Sequence, residues 1–309
     1  MNKQNLHSLA FVLLVLTLAT FGRGESDNRK NSYQDTIQTT SLSANLNPTA
    51  EPEINFSPKS LAPRPTIPAP LLQATTVYVQ DVDTGLELFS TQASERWPIA
   101  SITKLMTAIV ALENLRHDQV IPLTQNAIDT EGSTGNFRLD EAYTLEDLVK
   151  SMLVVSSNDA AVAIADFYGH DNFVKLMKQK ASALEMFQTS FFDESGLSFV
   201  NQSSVSDLSK LTVYIFRAHP EIFEITRTKT VTITERNTGA KKQLLNINAF
   251  AGRPDFFGGK TGYIDSSGGN LLSTFSYKNH RILIIVFGAE DRFKETESIL
   301  TWTQRAFTF

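Results

Sequence analysis

Apolar positions mixed with single polar ones over Thr76–Gln80 and again over Leu86–Phe89 read as strands. Asp83-Thr84-Gly85 between them is a hairpin turn signal. The pattern then changes. Ile102, Leu105, Met106, Ile109 and Leu112 recur at helical spacing, which predicts a centrally buried helix over Ser101–Leu115. Thr144 and Asp147 form a T-x-x-D start signal for a second helix, with Leu145, Leu148, Val149 and Met152 inward. Ser156-Ser157-Asn158 falls where it ends. Further helices are expected over Asp159–Tyr168, stopped by Gly169, and over Asn172–Leu184. Another is expected after a cap at Ser206, with Leu208, Leu211 and Ile215 inward and Pro220 beyond.

The pattern then returns to strands. Lys229–Thr234 and Lys241–Ile247 flank the turn signal Asn237-Thr238-Gly239. Lys260–Tyr263 opens or edges another strand, and Gly269–Tyr277 and Arg281–Phe287 follow, joined at Lys278-Asn279-His280. Ile282–Phe287 is uninterruptedly apolar, as in a strand buried on both faces. A last helix is expected over Arg292–Phe307, with Phe293, Ile299, Leu300 and Phe307 apolar. Strands first, helices in the middle, then strands and a closing helix predict an α+β fold. One antiparallel sheet would carry helices on its faces and an inserted helical lobe.

The N-terminal part reads differently. Lys3 precedes an apolar run, Leu9–Phe21, of signal-peptide length. Residues 1–24 are therefore expected to be a cleaved signal peptide or a retained membrane anchor. Residues 25–73 are rich in Ser, Thr, Asn and Pro and read as a disordered linker, and 74–309 as the folded domain. If the anchor is retained, such a linker reaches roughly tens of ångströms. Either reading places the domain outside the cytoplasm.

Composition removes several classes. The 309 residues carry a net charge of −5, against a general nucleic-acid binder. There is no cysteine, so no disulfide, thiol nucleophile or thiolate metal site. His7, His117, His170, His219 and His280 are scattered without a metal-binding spacing, so a zinc site is not expected.

Three short motifs carry chemistry. Ser101-Ile102-Thr103-Lys104 sets a hydroxyl and an amine on one helix face. Serine there is also a favoured N-cap. A lysine in the first turn opposes the helix dipole, and burial would lower its proton affinity further, making it a base for the serine. At Ser156-Ser157-Asn158 a hydroxyl can relay a proton and an amide can bind a peptide group; the same residues also suit helix capping. Lys260-Thr261-Gly262 offers a cation, a hydroxyl and a bare backbone, suited to a terminal carboxylate. The Tyr263 and Ser101 backbone N–H groups could form an oxyanion hole. S-x-x-K, S-x-N and K-T-G in this order form the active-site set of penicillin-binding proteins and class A β-lactamases.

The match extends beyond the three motifs, to Asp81–Gly85, Arg96–Ala108, Ser156–Ala161, Asp193-Glu194-Ser195-Gly196-Leu197 and Gly259–Tyr263. From about Thr75 onward the chain resembles the low-molecular-mass penicillin-binding proteins, serine-type D-alanyl-D-alanine carboxypeptidases. The resemblance implies the penicillin-recognising serine-hydrolase α+β fold. It implies Ser101 as acylated nucleophile, Lys104 as general base and Ser156 as proton relay. It implies Asn158 on the substrate amide and Lys260 and Thr261 on the terminal carboxylate, beside Gly262 and Tyr263. The implied substrate is the stem peptide of bacterial peptidoglycan, with β-lactams as covalent inhibitors, and no metal or organic cofactor is implied. The chain ends soon after its last predicted helix, without the C-terminal domain and anchor helix of many relatives, so a tether is expected at the N-terminus. Serine at the centre of S-x-N, where carboxypeptidases often have glycine, leaves endopeptidase action on cross-links open. A class A β-lactamase should add a Glu-x-x-x-Asn loop, and neither Glu185 nor Glu194 fits it. A catalytically silent stem-peptide-binding protein is the rival from another class.

Overall fold

The computed structural model describes residues 62–63, 67–133 and 135–309. The expected segment 1–24 and most of 25–73 lie outside the described residues. The elements run β1 (Ala62–Pro63), β2 (Thr76–Asp81), β3 (Glu87–Ser90), β4 (Trp97–Pro98), a 3-10 turn (Ala100–Ile102) and α1 (Thr103–Asn114). The middle contains β5 (Val120–Pro122), α2 (Gln125–Ile128), β6 (Ala142–Thr144), α3 (Leu145–Val154), α4 (Asn158–Tyr168), α5 (His170–Ala183), β7 (Gln202–Ser203), α6 (Val205–Ala218) and α7 (Pro220–Arg227). The last part has β8 (Thr230–Thr234), β9 (Lys241–Leu245), β10 (Phe256–Ile264), β11 (Gly268–Tyr277), β12 (His280–Ala289), α8 (Arg292–Ala306) and β13 (Phe307–Thr308).

The main sheet has five strands in the order β10-β11-β12-β2-β3, every pair antiparallel. Its central strand explains the apolar run of the sequence. Successive side chains of a strand face opposite ways. Ile282, Ile284 and Val286 meet Val77, Val79, Leu271 and Phe275 beneath Ile299 and Leu300 of α8. Leu283, Ile285 and Phe287 join the other core, shared with the helical lobe. Each fully buried aliphatic side chain contributes about 1.5–3 kcal/mol, so a register slip in β12 would cost both cores at once.

In the lobe, α1 is surrounded: Thr103 to Ala111 are all buried. Helix α3 is capped by Thr144, whose side chain accepts from Asp147 N–H, as its T-x-x-D signal predicts. Four expectations need correction. The cap of α6 is Ser204, not Ser206; Ser204 Oγ accepts from Asp207 N–H at 3.1 Å. Helix α5 begins at His170, directly after Gly169 at φ +97°, rather than at Asn172. Pro220 does not merely follow a helix; it opens α7, where a missing N–H costs nothing. Finally, Ser101 is no cap: neither the 3-10 turn nor α1 has a side-chain N-cap bond. Residues 67–73, read as the end of the linker, lie against α8. Trp302 Nε1 donates to the Ile67 carbonyl at 3.3 Å, and Ala74 N–H to Glu295 at 2.9 Å.

Candidate active site

The sheet and the lobe meet at a cleft of about 430 Å³ lined by Ser101, Ser156, Asn158, Thr261, Gly262 and Arg292, among others. Ser101 stands in the 3-10 turn where the chain leaves β4 for α1. Ala100, just before it, is buried at φ +48°. A side chain held there stores roughly 1–3 kcal/mol of strain, compensated by the surroundings. Gly196 and Gly262 press on this turn. A Cβ on Gly196 (φ +85°) would lie 2.0 Å from the Ala100 carbonyl, and one on Gly262 2.7 Å from that of Ile99. Only glycine lets the backbone come so near.

Lys104 is fully buried. Its Nζ lies 3.0 Å from Ser101 Oγ, 2.7 Å from Asn158 Oδ1 and 2.5 Å from the Ser195 carbonyl. Two of these partners can only accept. A neutral amine has two N–H donors and one lone pair. As an ammonium Lys104 donates to all three; once it loses a proton, Asn158 and Ser195 keep its two donors and the lone pair faces the Ser101 hydroxyl. Burial lowers the Lys104 pKa, the charges of Asp193, Glu194 and Asp159 partly oppose it, and the result is about 7.

Ser156 joins α3 to α4 in the left-handed region, φ +61°. Its Oγ accepts from Lys260 Nζ at 2.9 Å, and the same nitrogen donates to the Thr261 carbonyl at 3.0 Å. Ser157 caps α4 by accepting from Ala160 N–H. The motif thus divides its work: the first serine faces the cleft and the second holds the helix. Asn158 is bound on both sides, its Oδ1 to Lys104 and one amide hydrogen to the Glu131 carbonyl at 2.7 Å.

Lys260, Thr261, Gly262 and Tyr263 lie within β10, the edge strand of the sheet, which begins four residues earlier than Lys260. Lys260 is not the exposed cation of an ordinary strand entry; it is 1% exposed. Burial and the charges of Lys104 and Arg292 push its proton affinity well below that of an ordinary lysine. Tyr263 is exposed, its hydroxyl donating to Asp265.

All eight residues singled out in the sequence gather here. Two parts received no role in that reading. Arg292, the first residue of α8, lines the cleft and donates from Nη1 to the Gly262 carbonyl at 2.9 Å. The second is the 193–198 turn. Asp193 Oδ1 accepts from the backbone N–H of Ser195 at 2.8 Å and of Gly196 at 2.5 Å, and Oδ2 from that of Ser198 at 2.8 Å. This locks the Ser195 carbonyl in place. The D-x-S-G run, an acceptor followed by turn residues, is the signal that marks it. Among the described residues no cluster could hold a metal ion.

A serine hydroxyl against a buried amine, in a cleft between a five-stranded antiparallel sheet and a helical lobe, defines the penicillin-recognising serine-hydrolase class. Known structures agree in fold. The D-alanyl-D-alanine carboxypeptidase of Mycobacterium tuberculosis H37Rv superposes with a TM-score of 0.72 at 24% identity, over 79% of this chain and 95% of its own. Penicillin-binding protein D2 of Listeria monocytogenes, in its ampicillin-bound form, gives 0.68 at 31% identity, over 76% of this chain and 99% of its own. The family model for D-alanyl-D-alanine carboxypeptidases, peptidase family S11, matches residues 64–291, and the chain belongs to that family of serine peptidases. Among relatives, the Escherichia coli carboxypeptidase DacC is 28% identical over 82% of this chain and 66% of its own length. The chain thus spans about two-thirds of that relative. A D-alanyl-D-alanine endopeptidase of Pseudomonas aeruginosa is 30% identical over 79% of this chain and 83% of its own. The expected family and α+β fold are both found.

Proposed function

We propose that this cleft removes the terminal D-alanine from peptidoglycan stem pentapeptides through an acyl-enzyme on Ser101. The observation that carries it is the hydrogen-bond set of Lys104, which accounts for a neutral amine aimed at the Ser101 hydroxyl. Lys104 takes the hydroxyl proton as Ser101 Oγ attacks the penultimate D-alanine carbonyl. The Ser101 and Tyr263 N–H groups receive the developing oxyanion. Ser156, beside Lys260, passes a proton to the leaving amine. Thr261, Lys260 and Arg292 hold the terminal carboxylate, and Asn158 the substrate amide. Water then releases the acyl group.

β-Lactams would acylate the same serine and stay there, as the ampicillin-bound relative supports by analogy. The stem-peptide substrate and the apolar run Leu9–Phe21 support a location outside the cytoplasm, with the N-terminus as signal peptide or membrane anchor.

Endopeptidase action on cross-links is the second reading. It is favoured by the relatives of that name, which include one from Haemophilus influenzae at 35% identity. The test uses the protein with two muropeptides, a pentapeptide monomer ending in D-Ala-D-Ala and a cross-linked dimer, followed by mass spectrometry. Loss of one alanine from the monomer is expected. Cleavage of the dimer alone would establish the endopeptidase. No turnover of either, with Ser101 unlabelled by penicillin, would leave a silent binding protein.

A further inference from the structure

Glu194 is a buried carboxylate that the proposed mechanism leaves unused. Its side chain is 3% exposed, and its Oε2 makes no hydrogen bond of good geometry among the described residues. Beside it lies the imidazole of His170, the first residue of α5, with Nδ1 3.2 Å away. His170 is half exposed, so the pair runs from solvent into the lobe. The Glu194 backbone is tied separately: Thr107 of α1 donates to its carbonyl at 2.6 Å. The next carbonyl along, that of Ser195, receives Lys104. Glu194 thus sits one residue from the contact that turns the Lys104 lone pair toward Ser101.

We propose that Glu194 is a positioning residue for acylation: with His170 it pins the 193–198 turn from inside the lobe, so that the Ser195 carbonyl orients the Lys104 amine. The assignment rests on Lys104 acting as base for Ser101. The Asp193 carboxylate bonds within residues 193–198, and Asn201 holds the Asp193 backbone at the start of the turn, but neither reaches α5. The tie to α5 runs through Glu194. The carboxylate also acts through charge. It faces Asp193 from its own turn, Asp166 from α4 and His170 from α5, and burial raises its pKa. Lys104 in turn faces Asp193 and Glu194, Asp159 from α4 and Lys260 from β10. Glu194 is one of the three anions that keep protons on Lys104, so removing its charge lets Lys104 become neutral at lower pH.

The test measures the acylation rate of the full chain by a fluorescent penicillin as a function of pH, for wild type, Glu194→Gln and Glu194→Ala. Glu194→Ala should acylate about tenfold to a hundredfold more slowly across the range, the cost of a misplaced catalytic group. Glu194→Gln keeps the shape and an acceptor for His170. It should recover most of the rate, with its acidic limb moved toward lower pH. That movement exists only above the pH at which wild-type Glu194 is itself protonated. A Gln variant with the wild-type limb, or an Ala variant with the wild-type rate, overturns the proposal. If the Ala variant does not fold, the Gln limb decides alone. Wild-type protein that takes no label would instead defeat the reading of Ser101 and Lys104 on which this rests.

Discussion

The two sides of the cleft each bury a lysine completely, but in opposite company. On the helical side Lys104 has Asp193, Glu194 and Asp159 around it, and settles at a pKa of about 7. On the strand side the charges that act on Lys260 are those of Lys104 and Arg292, and with burial they push its proton affinity well below that of an ordinary lysine. Equal burial therefore prepares different chemistry. Lys104 is balanced so that it can give and take a proton near neutral pH. Lys260 lacks an anion that the substrate carboxylate would supply. The helical side is complete before substrate arrives; the strand side is completed by it.

The largest test of this division is Ser101→Ala, which should abolish covalent penicillin labelling; label persisting on another residue would remove the helical side from the chemistry. Lys104→Ala comes next, lowering acylation by about 10²–10⁴-fold with the far-ultraviolet circular dichroism unchanged. Near-normal acylation would erase the contrast between the two lysines. The wild-type rate should itself climb as pH rises through about 7, since only the unprotonated amine has a lone pair for the serine. A flat profile there would deny Lys104 its role as base. On the strand side, Arg292→Ala should weaken turnover of D-Ala-D-Ala peptides by about tenfold to a hundredfold, the worth of a hydrogen bond to a charged group. Peptides amidated at the C-terminus should be nearly indifferent to it, and equal losses on both would mean that Arg292 does not touch the carboxylate. The smallest effect is a fraction of a proton. Ser101→Ala protein binding a D-Ala-D-Ala peptide should take up protons, because the arriving carboxylate raises the lowered proton affinity of Lys260. Calorimetry in buffers of different ionisation enthalpy reads this, and heats independent of buffer would mean that Lys260 does not change its charge.

How much of this was legible depended on whether the cause was local. Ile282–Phe287 announces a strand buried on both faces because its composition has no solvent side, and the cores on its two faces agree. Ser101 and Lys104 could be paired because helix geometry alone brings them together. Arg292 could not be found that way. It is 32 residues beyond Lys260 and reaches the cleft only because α8 starts where the sheet turns back at β12. The burial of Lys260 was equally hidden, since sequence shows the cation but not Ser156 above it. Ser204 was missed although Ser204-Val205-Ser206-Asp207 carries the spacing of a capping motif; Ser206 was simply the nearer serine.

The position of β10 has one more consequence. It is an edge strand, and an open edge invites pairing with any extended chain, including another unfolded protein. Proteins usually blunt such an edge with charge, proline or a bulge. Here a bulge interrupts pairing with β11 near Gly258, upstream of the cleft, and the stretch after it lies walled by the turn that holds Ser101. The turn that presents Ser101 thereby also covers part of the sheet's open edge.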